Sequence, residues 1–248
     1  MVDFDGTIAE IAPTPDEARV SPGCAEALDR LSKKLALVSV VSGRSARDVK
    51  EKVGLEGVTY VGNHGAEYLD GGELTVAPGA EEYRGRIRAV LDQMRTIANS
   101  PGLFWQDKGL TASVHYRQAR DPGRAEVSLK AALNSASGVE DLEVFWGRLV
   151  LELRAPIGLN KGYAIRKLAQ DHNLASIIFM GDDITDLDGL RALRDLVAGG
   201  ALEGLGIAVT HLDSPDTLLE AADYALSGVP EVEAFLKWLD TATANPSH

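Results

Sequence analysis

Asp3-Phe4-Asp5-Gly6-Thr7 places two carboxylates one residue apart, behind a stub of apolar strand and at the head of a glycine turn. In an open α/β sheet ligands bind beyond the carboxyl ends of the strands, so this stretch predicts a nucleophile and a proton donor standing over such a crevice. A second acidic stretch, Gly181-Asp182-Asp183-Ile184-Thr185-Asp186, follows another apolar run, Ile177-Ile178-Phe179-Met180, far down the chain. If the two meet, their carboxylates repel one another, and a divalent cation is the simplest way to make the cluster tolerable at neutral pH. Read alone, the first stretch fits a surface Asx-turn equally well.

Working outward, residues 35–41, 177–180 and 206–209 are short apolar runs of the kind that form strands of a buried parallel sheet. Helical periodicity covers 24–33, 46–53, 161–172 and 187–193, and residues 231–239 read as a closing helix with Pro230 at its first position. Strand and helix therefore alternate, which predicts an α/β domain with crossover connections. The middle differs. A strand candidate at 73–77 and a helix at 81–99 lead to strands at 103–106 and 111–116 around the turn Asp107-Lys108-Gly109; a helix at 124–135 and strands at 142–145 and 149–153 follow. The alternation in these strands implies a sheet with one open face, so residues 71–155 are expected to form a small α+β insert. The core is then 1–70 with 156–240, and 241–248 is a small, polar tail expected to fray.

The bulk properties exclude some classes. With 25 basic and 37 acidic residues the net charge is -12, which opposes long-range attraction to nucleic acid or an anionic membrane. An anionic substrate must be captured by local positive groups and a metal. The single cysteine, Cys24, cannot form an internal disulfide and sits in a helical segment as a packing residue. No leader-like segment and no run of ~18 apolar residues is present, so a cytoplasmic location is the default expectation; the protein is expected to be monomeric or weakly associated.

Chemistry is expected at the strand ends. Asp3 has the placement to attack phosphorus, and Asp5 to protonate the departing alkoxide and then activate water. Ser42-Gly43 ends a strand, where a hydroxyl and a peptide N–H can hold phosphate oxygens, or simply cap the helix that follows. Lys161 opens a helix, where its ammonium would meet an anion already near free N–H groups. The hard carboxylate of Asp182 suits Mg²⁺; Asp183 and Asp186 rank behind it, Asp186 either touching a metal-bound water, orienting Lys161 or capping its helix.

Together Asp3-Phe4-Asp5-Gly6-Thr7, Ser42, Lys161 and Gly181-Asp182-Asp183 resemble, in order and spacing, the four motifs of the haloacid dehalogenase-like phosphatases. The resemblance implies a Rossmann-like haloacid dehalogenase core with a C2-type cap, an aspartyl-phosphate at Asp3, acid–base action by Asp5, phosphate contacts from Ser42 and Lys161, and Mg²⁺ held by Asp3, the Asp5 carbonyl and Asp182. Asp183 and Asp186 would be reached through metal-bound water or support the ligands from behind. Within that superfamily the chain is most similar to the trehalose-6-phosphate phosphatases, through Val41-Ser42-Gly43-Arg44, Gly62-Asn63-His64-Gly65-Ala66-Glu67, Asp107-Lys108-Gly109, His115-Tyr116-Arg117, Leu151-Glu152-Leu153-Arg154 and Asn160-Lys161-Gly162. This similarity implies hydrolysis of trehalose 6-phosphate, with Gly43, Arg44, His64, Lys108, His115, Arg117 and Glu152 binding substrate.

Plainer roles stand beside these. His64 can be a structural turn residue, Lys108 an ordinary hairpin lysine, and Glu152 with Arg154 a mutual ion pair. His115 and Arg117, two apart on an expected strand, can be a surface row. Trp105 and Trp146 read as packing residues, and His172, His211 and Asp171 offer no additional metal site. Only Met1 and Val2 precede Asp3, so the first strand is expected to be trimmed or unusually short, and in the last motif Thr185-Asp186-Leu187-Asp188 departs from the family's usual acidic spacing. The alternatives are a phosphatase for another sugar phosphate, such as sucrose 6-phosphate or a glycosyl-phosphoglycerate, and a noncatalytic sugar-phosphate sensor.

Overall fold

The computed structural model describes residues 1–98, 100–212 and 214–244. It divides into two compact units, Met1–Thr75 with Leu159–His248, and Val76–Gly158. In chain order the first unit begins with α1 (Pro22–Ser32), β1 (Ser39–Val41), α2 (Ala46–Val53), β2 (Thr59–Gly62), β3 (Glu67–Asp70) and β4 (Glu73–Val76). The second unit contributes α3 (Arg84–Ile97), β5 (Phe104–Asp107), β6 (Ala112–His115), α4 (Pro122–Ser135), β7 (Glu143–Gly147) and β8 (Val150–Arg154). The chain then returns with α5 (Lys161–Asp171), β9 (Ser176–Gly181), α6 (Asp186–Ala198), β10 (Glu203–Thr210), α7 (Asp216–Ala221), β11 (Tyr224–Ser227) and α8 (Gly228–Ala244). Among the described residues no helix is long and apolar enough to cross a membrane.

The main sheet has two halves, β11-β10-β9 and β1-β2-β3-β4, and the opening residues join them. Val2 bridges in parallel to both Val40 and Met180. The Val2 N–H donates to Ser39 O at 2.9 Å, Val41 N–H to Val2 O at 2.8 Å, and Asp3 N–H to Met180 O at 2.9 Å. The central strand is thus as short as the sequence implied, yet it is bonded on both sides, and that pins Asp3 at its carboxyl end. β9, β10 and β11 are parallel, as are β1 and β2, whereas β2 and β3 are antiparallel.

Helix chemistry sets the approach to the site. Ser45 accepts from Asp48 N–H to open α2, and Gly54, at φ 71, closes it in the left-handed region that glycine enters without strain. Asn160 caps α5 by accepting from Tyr163 N–H, which places Lys161 in the first turn. The apolar face of α1, Cys24, Ala27, Leu28 and Leu31, follows a helical spacing and is buried. Full burial of each Leu or Ile in such a core contributes ~1.5–3 kcal/mol.

The second unit is an antiparallel sheet in the order β5-β6-β8-β7. Trp105, Val114, Leu151, Leu153, Val144 and Trp146 share one cluster with Ile87, Val90, Met94 and Leu129 of α3 and α4. Alternation therefore leaves Ser113, His115, Glu152 and Arg154 on the opposite face. The two tryptophans serve packing, Trp146 standing edge-on to Tyr116 with ring centroids 6.4 Å apart.

Several boundaries differ from the sequence expectation. β4 joins the main sheet, and the second unit starts at Val76 and ends at Gly158 rather than spanning 71–155. Ladder hydrogen bonds to β3 outweigh the change of texture in the sequence. Helix α8 runs to Ala244, so residues 241–244, expected to belong to the tail, are helical; 245–248, and Asn99 at the end of the expected 81–99 helix, lie outside the described residues. The expected strand 35–41 shrinks to Ser39–Val41. Strand β6 stops at His115, and Arg117 falls in the following turn, where Ala119 N–H returns to Tyr116 O at 3.1 Å, so the two residues do not form a row on one strand.

Candidate active site

Asp3 lies at the end of the central stub, 4 % exposed, and Lys161 reaches it from the first turn of α5. The ammonium donates to Asp3 Oδ1 at 2.7 Å and to Asp186 Oδ1 at 2.7 Å. Asp186 also accepts from Asp183 N–H at 3.1 Å through its other oxygen. Of the roles open to Asp186, orientation of Lys161 is the one its contacts display. Burial pushes the Asp3 carboxyl up from 3.8 to about 7, with Lys161 pulling the other way. The Asp186 carboxyl is likewise raised by burial against Lys161. Burial lowers the Lys161 pKa, but Asp186 and Asp3 outweigh it and raise the pKa above the ordinary value.

Asp182, at the end of β9, completes the cluster: oxygens of Asp3, Asp182 and Asp186 all lie within 4.8 Å of one another. Gly6, at φ +80, lets the opening turn run directly against Asp182, whose carboxylate occupies the space a side chain on Gly6 would need. Thr7 Oγ1 donates to Asp182 Oδ1 at 3.4 Å. Burial, then Asp3 and Asp186, raise the Asp182 carboxyl well above the ordinary range. Ionising all three carboxylates beside one ammonium would leave two negative charges in a buried site, which is why burial holds them back from ionising. A divalent cation with a preference for hard oxygen donors matches both the charge and the donor set. Asp183 stands outside this group, its Oδ1 accepting from Ile184 N–H at 2.7 Å.

Asp5 is turned elsewhere. Arg44 donates from Nε to Asp5 Oδ2 at 2.7 Å and from Nη2 to Asp5 Oδ1 at 2.8 Å, a fork that holds both oxygens. Its Nη1 donates to Asp48 Oδ2 at 2.9 Å and to the Pro15 carbonyl at 2.9 Å, and the guanidinium lies over the Phe4 ring at 5.3 Å. Expected among the substrate ligands, Arg44 holds the Asp5 carboxylate here. Ser42 is buried, and its hydroxyl accepts from Arg44 N–H at 3.2 Å. His64 N–H donates to Ser42 O at 3.0 Å, and the imidazole lies where a side chain on Gly43 would go. Asn63 and His64 both take positive φ, 49° and 57°, a conformation costing roughly 1–2 kcal/mol per non-glycine residue. Hydrogen bonds to the Arg44 and Ser42 carbonyls hold this conformation and set the His64 ring against the Ser42-Gly43 peptide. The helix that follows is capped from another strand: Glu67 Oε1 accepts from Ala46 N–H at 2.6 Å.

In the second unit Lys108 and Glu152 meet. Lys108 Nζ donates to Glu152 Oε1 at 3.1 Å, Ser113 Oγ to the same oxygen at 3.0 Å, and Arg154 grips Oε2 through Nε and Nη2. His115 ends the neighbouring strand, its ring 6.1 Å from that of Phe104, and Arg117 is exposed in the next turn.

Thr7, Glu67, Arg154 and His211 were not among the residues the sequence singled out for the site. Arg154 had a signal, its i,i+2 spacing from Glu152. The imidazole of His211 reaches the Gly6 carbonyl at 2.8 Å across 205 residues, and nothing local to either announces that contact.

The model of the family described as trehalose-phosphatase matches residues 1–228. A trehalose-phosphate phosphatase of Mycobacterium avium (strain 104) is 35% identical over 250 residues, 96% of this chain and 60% of that protein. One from Mycobacterium tuberculosis (strain ATCC 25618 / H37Rv) is 33% identical over 246 residues, 94% and 59% of the two chains. The chain thus spans about three fifths of the length of these relatives. Among solved structures, a trehalose-6-phosphate phosphatase related protein superposes with TM-score 0.81 at 23% identity, covering 98% of this chain and 97% of that one. The C-terminal domain of a Candida albicans trehalose synthase regulatory protein superposes with TM-score 0.70 at 12% identity, covering 95% and 92%. Such distant likenesses show a shared fold and leave chemistry to the site. The family match, by contrast, runs without a break from the opening aspartates through the insert to the last strand of the core, and on that ground the chain belongs to the trehalose-phosphatase family.

Proposed function

We propose that the chain hydrolyses trehalose 6-phosphate to trehalose and inorganic phosphate, with Mg²⁺, through an aspartyl-phosphate on Asp3. The observation that carries this is the buried cluster of Asp3, Asp182 and Asp186 around Lys161, with Asp5 two residues from Asp3. A binding module for sugar phosphates needs positive groups and has little use for so many buried carboxylates. An Asp3 oxygen bonds to phosphorus as the bond to the sugar oxygen breaks, and Asp5 gives that oxygen its proton. Asp5 then takes a proton from water, whose oxygen attacks the phosphorus of the aspartyl-phosphate and frees Asp3. Arg44 holds both Asp5 oxygens, so one Arg44 contact must be released for Asp5 to carry the proton and restored afterwards. Lys161, Ser42 and the Gly43 N–H are assigned to the phosphate oxygens. Asp3, Asp182 and the Asp5 carbonyl would hold Mg²⁺, which when bound screens the approach of a carboxylate to a negative phosphate.

For substrate binding we assign His64, and in the second unit Lys108, His115, Arg117 and Glu152. The polar face of its sheet supports this, since hydroxyls need donors and acceptors in fixed positions. We place the protein in the cytoplasm as a monomer. A substrate panel with and without Mg²⁺ tests the reading. Trehalose 6-phosphate should be preferred over glucose 6-phosphate, sucrose 6-phosphate and an aryl phosphate by at least about tenfold in kcat/KM, or ~1.4 kcal/mol. Equal rates would transfer the activity to another sugar phosphate, and tight binding without turnover would favour a sensor.

A further inference from the structure

We infer that His211 is a positioning residue for phosphoryl transfer, holding the turn that carries Asp3 and Asp5 in register with Asp182. His211 follows the end of β10, and the register of the sheet pairs Ala208 of that strand with Gly181, the residue before Asp182. The loop at His211 is tied to itself: its N–H donates to Ser214 Oγ at 2.8 Å and its carbonyl accepts from Ser214 N–H at 3.1 Å. From this anchor the imidazole Nε2 lies 2.8 Å from the Gly6 carbonyl. A carbonyl only accepts, so Nε2 carries the hydrogen and donates it.

The bond matters because of what Gly6 does. Its N–H donates to the Ala9 carbonyl at 2.7 Å, and its bare Cα lies against the Asp182 carboxylate. With the carbonyl held as well, neither peptide plane flanking Gly6 is free to rotate. Thr7 Oγ1 touches one Asp182 oxygen, and His211 Nε2 stands 3.7 Å from the other. One side chain therefore fixes the turn while lining the carboxylate packed against that turn. A displacement of about 1 Å at such a place can cost about a hundredfold in rate. Glycine at position 6, needed for close approach, supplies no side chain to hold itself, and His211 makes good that lack.

The inference rests on the phosphatase reading, and the experiment separates the two. His211→Ala and His211→Gln are compared with the parent for hydrolysis of an aryl phosphate and of trehalose 6-phosphate, and for Mg²⁺ affinity by calorimetry. His211→Ala should lose about tenfold in kcat with KM within about threefold, and bind Mg²⁺ about threefold or more weakly. The Gln amide can donate at a similar reach and should restore most of both. Should the parent turn over neither phosphate, the phosphatase reading falls and the Mg²⁺ titration alone decides the inference. A His211→Ala protein with parental kcat and parental Mg²⁺ affinity overturns it, as does a folded His211→Gln protein no better than His211→Ala.

Discussion

Each unit buries a charged cluster, and the two are built in opposite ways. In the first, Asp3, Asp182 and Asp186 crowd together, and Lys161 pairs with Asp3 and Asp186. In the second, one carboxylate, Glu152, is shared by Lys108 and Arg154. Burying ions costs several kcal/mol each unless partners compensate. The first cluster gathers carboxylates around one ammonium and suits a cation; the second gathers two cations on one carboxylate. Excess buried carboxylates cost the first unit stability in the absence of a cation. The insert spends its charges mainly on holding one another.

Four measurements can break or sharpen this contrast. The largest effect is expected for Asp3→Asn, which should lower kcat by about a thousandfold or more, roughly 4 kcal/mol in transition-state stabilisation. The same change relieves repulsion, so its urea midpoint in EDTA should not fall. A variant that keeps a tenth of the activity would remove Asp3 from the covalent role. Glu152→Ala is expected to do the opposite, destabilising the protein by about 3 kcal/mol in urea because Lys108 and Arg154 lose the carboxylate they share. An unchanged midpoint would show that the second cluster does not hold the insert.

Arg44→Lys tests the fork on Asp5. An ammonium cannot reproduce two parallel bonds, so kcat should fall about tenfold while KM changes little. A rise in KM alone would return Arg44 to the substrate.

The smallest effect concerns pH. The Asp3 carboxyl is raised by burial to about 7 in the folded chain and titrates near 3.8 when exposed. Below about pH 4 both states hold the proton; between these values the folded state holds it longer. Raising pH from 4 to 7 therefore favours unfolding, and the metal-free melting temperature should drop across this window. Mg²⁺ should abolish the drop, because a bound cation stabilises the ionised form. A metal-free melting temperature that climbs steadily through this window would contradict the environment assigned to Asp3.

Legibility in the sequence followed locality. Asp3, Asp5, Lys161 and Asp182 could be read because each stands at a strand or helix end marked by neighbouring residues. α2 matched residue for residue, since Ser45 and Gly54 announce both ends of it. The β2–β3 hairpin escaped notice: its turn is made by Asn63 and His64 at positive φ, a conformation held by Arg44 and Ser42 carbonyls rather than by local preference. Arg44 was expected among the substrate ligands because its position beside Ser42 says nothing of Asp5, 39 residues away.

What residue order by itself determined is the alternation of elements, the insert, and which groups could react, because periodicity, caps and motif spacing are short-range properties. Which carboxylates converge, that Asp5 rests on Arg44, and that His211 holds Gly6 were decided only in three dimensions. Parallel strands bring together residues separated by whole crossovers, and desolvation and Coulomb energy depend on distance in space rather than along the chain.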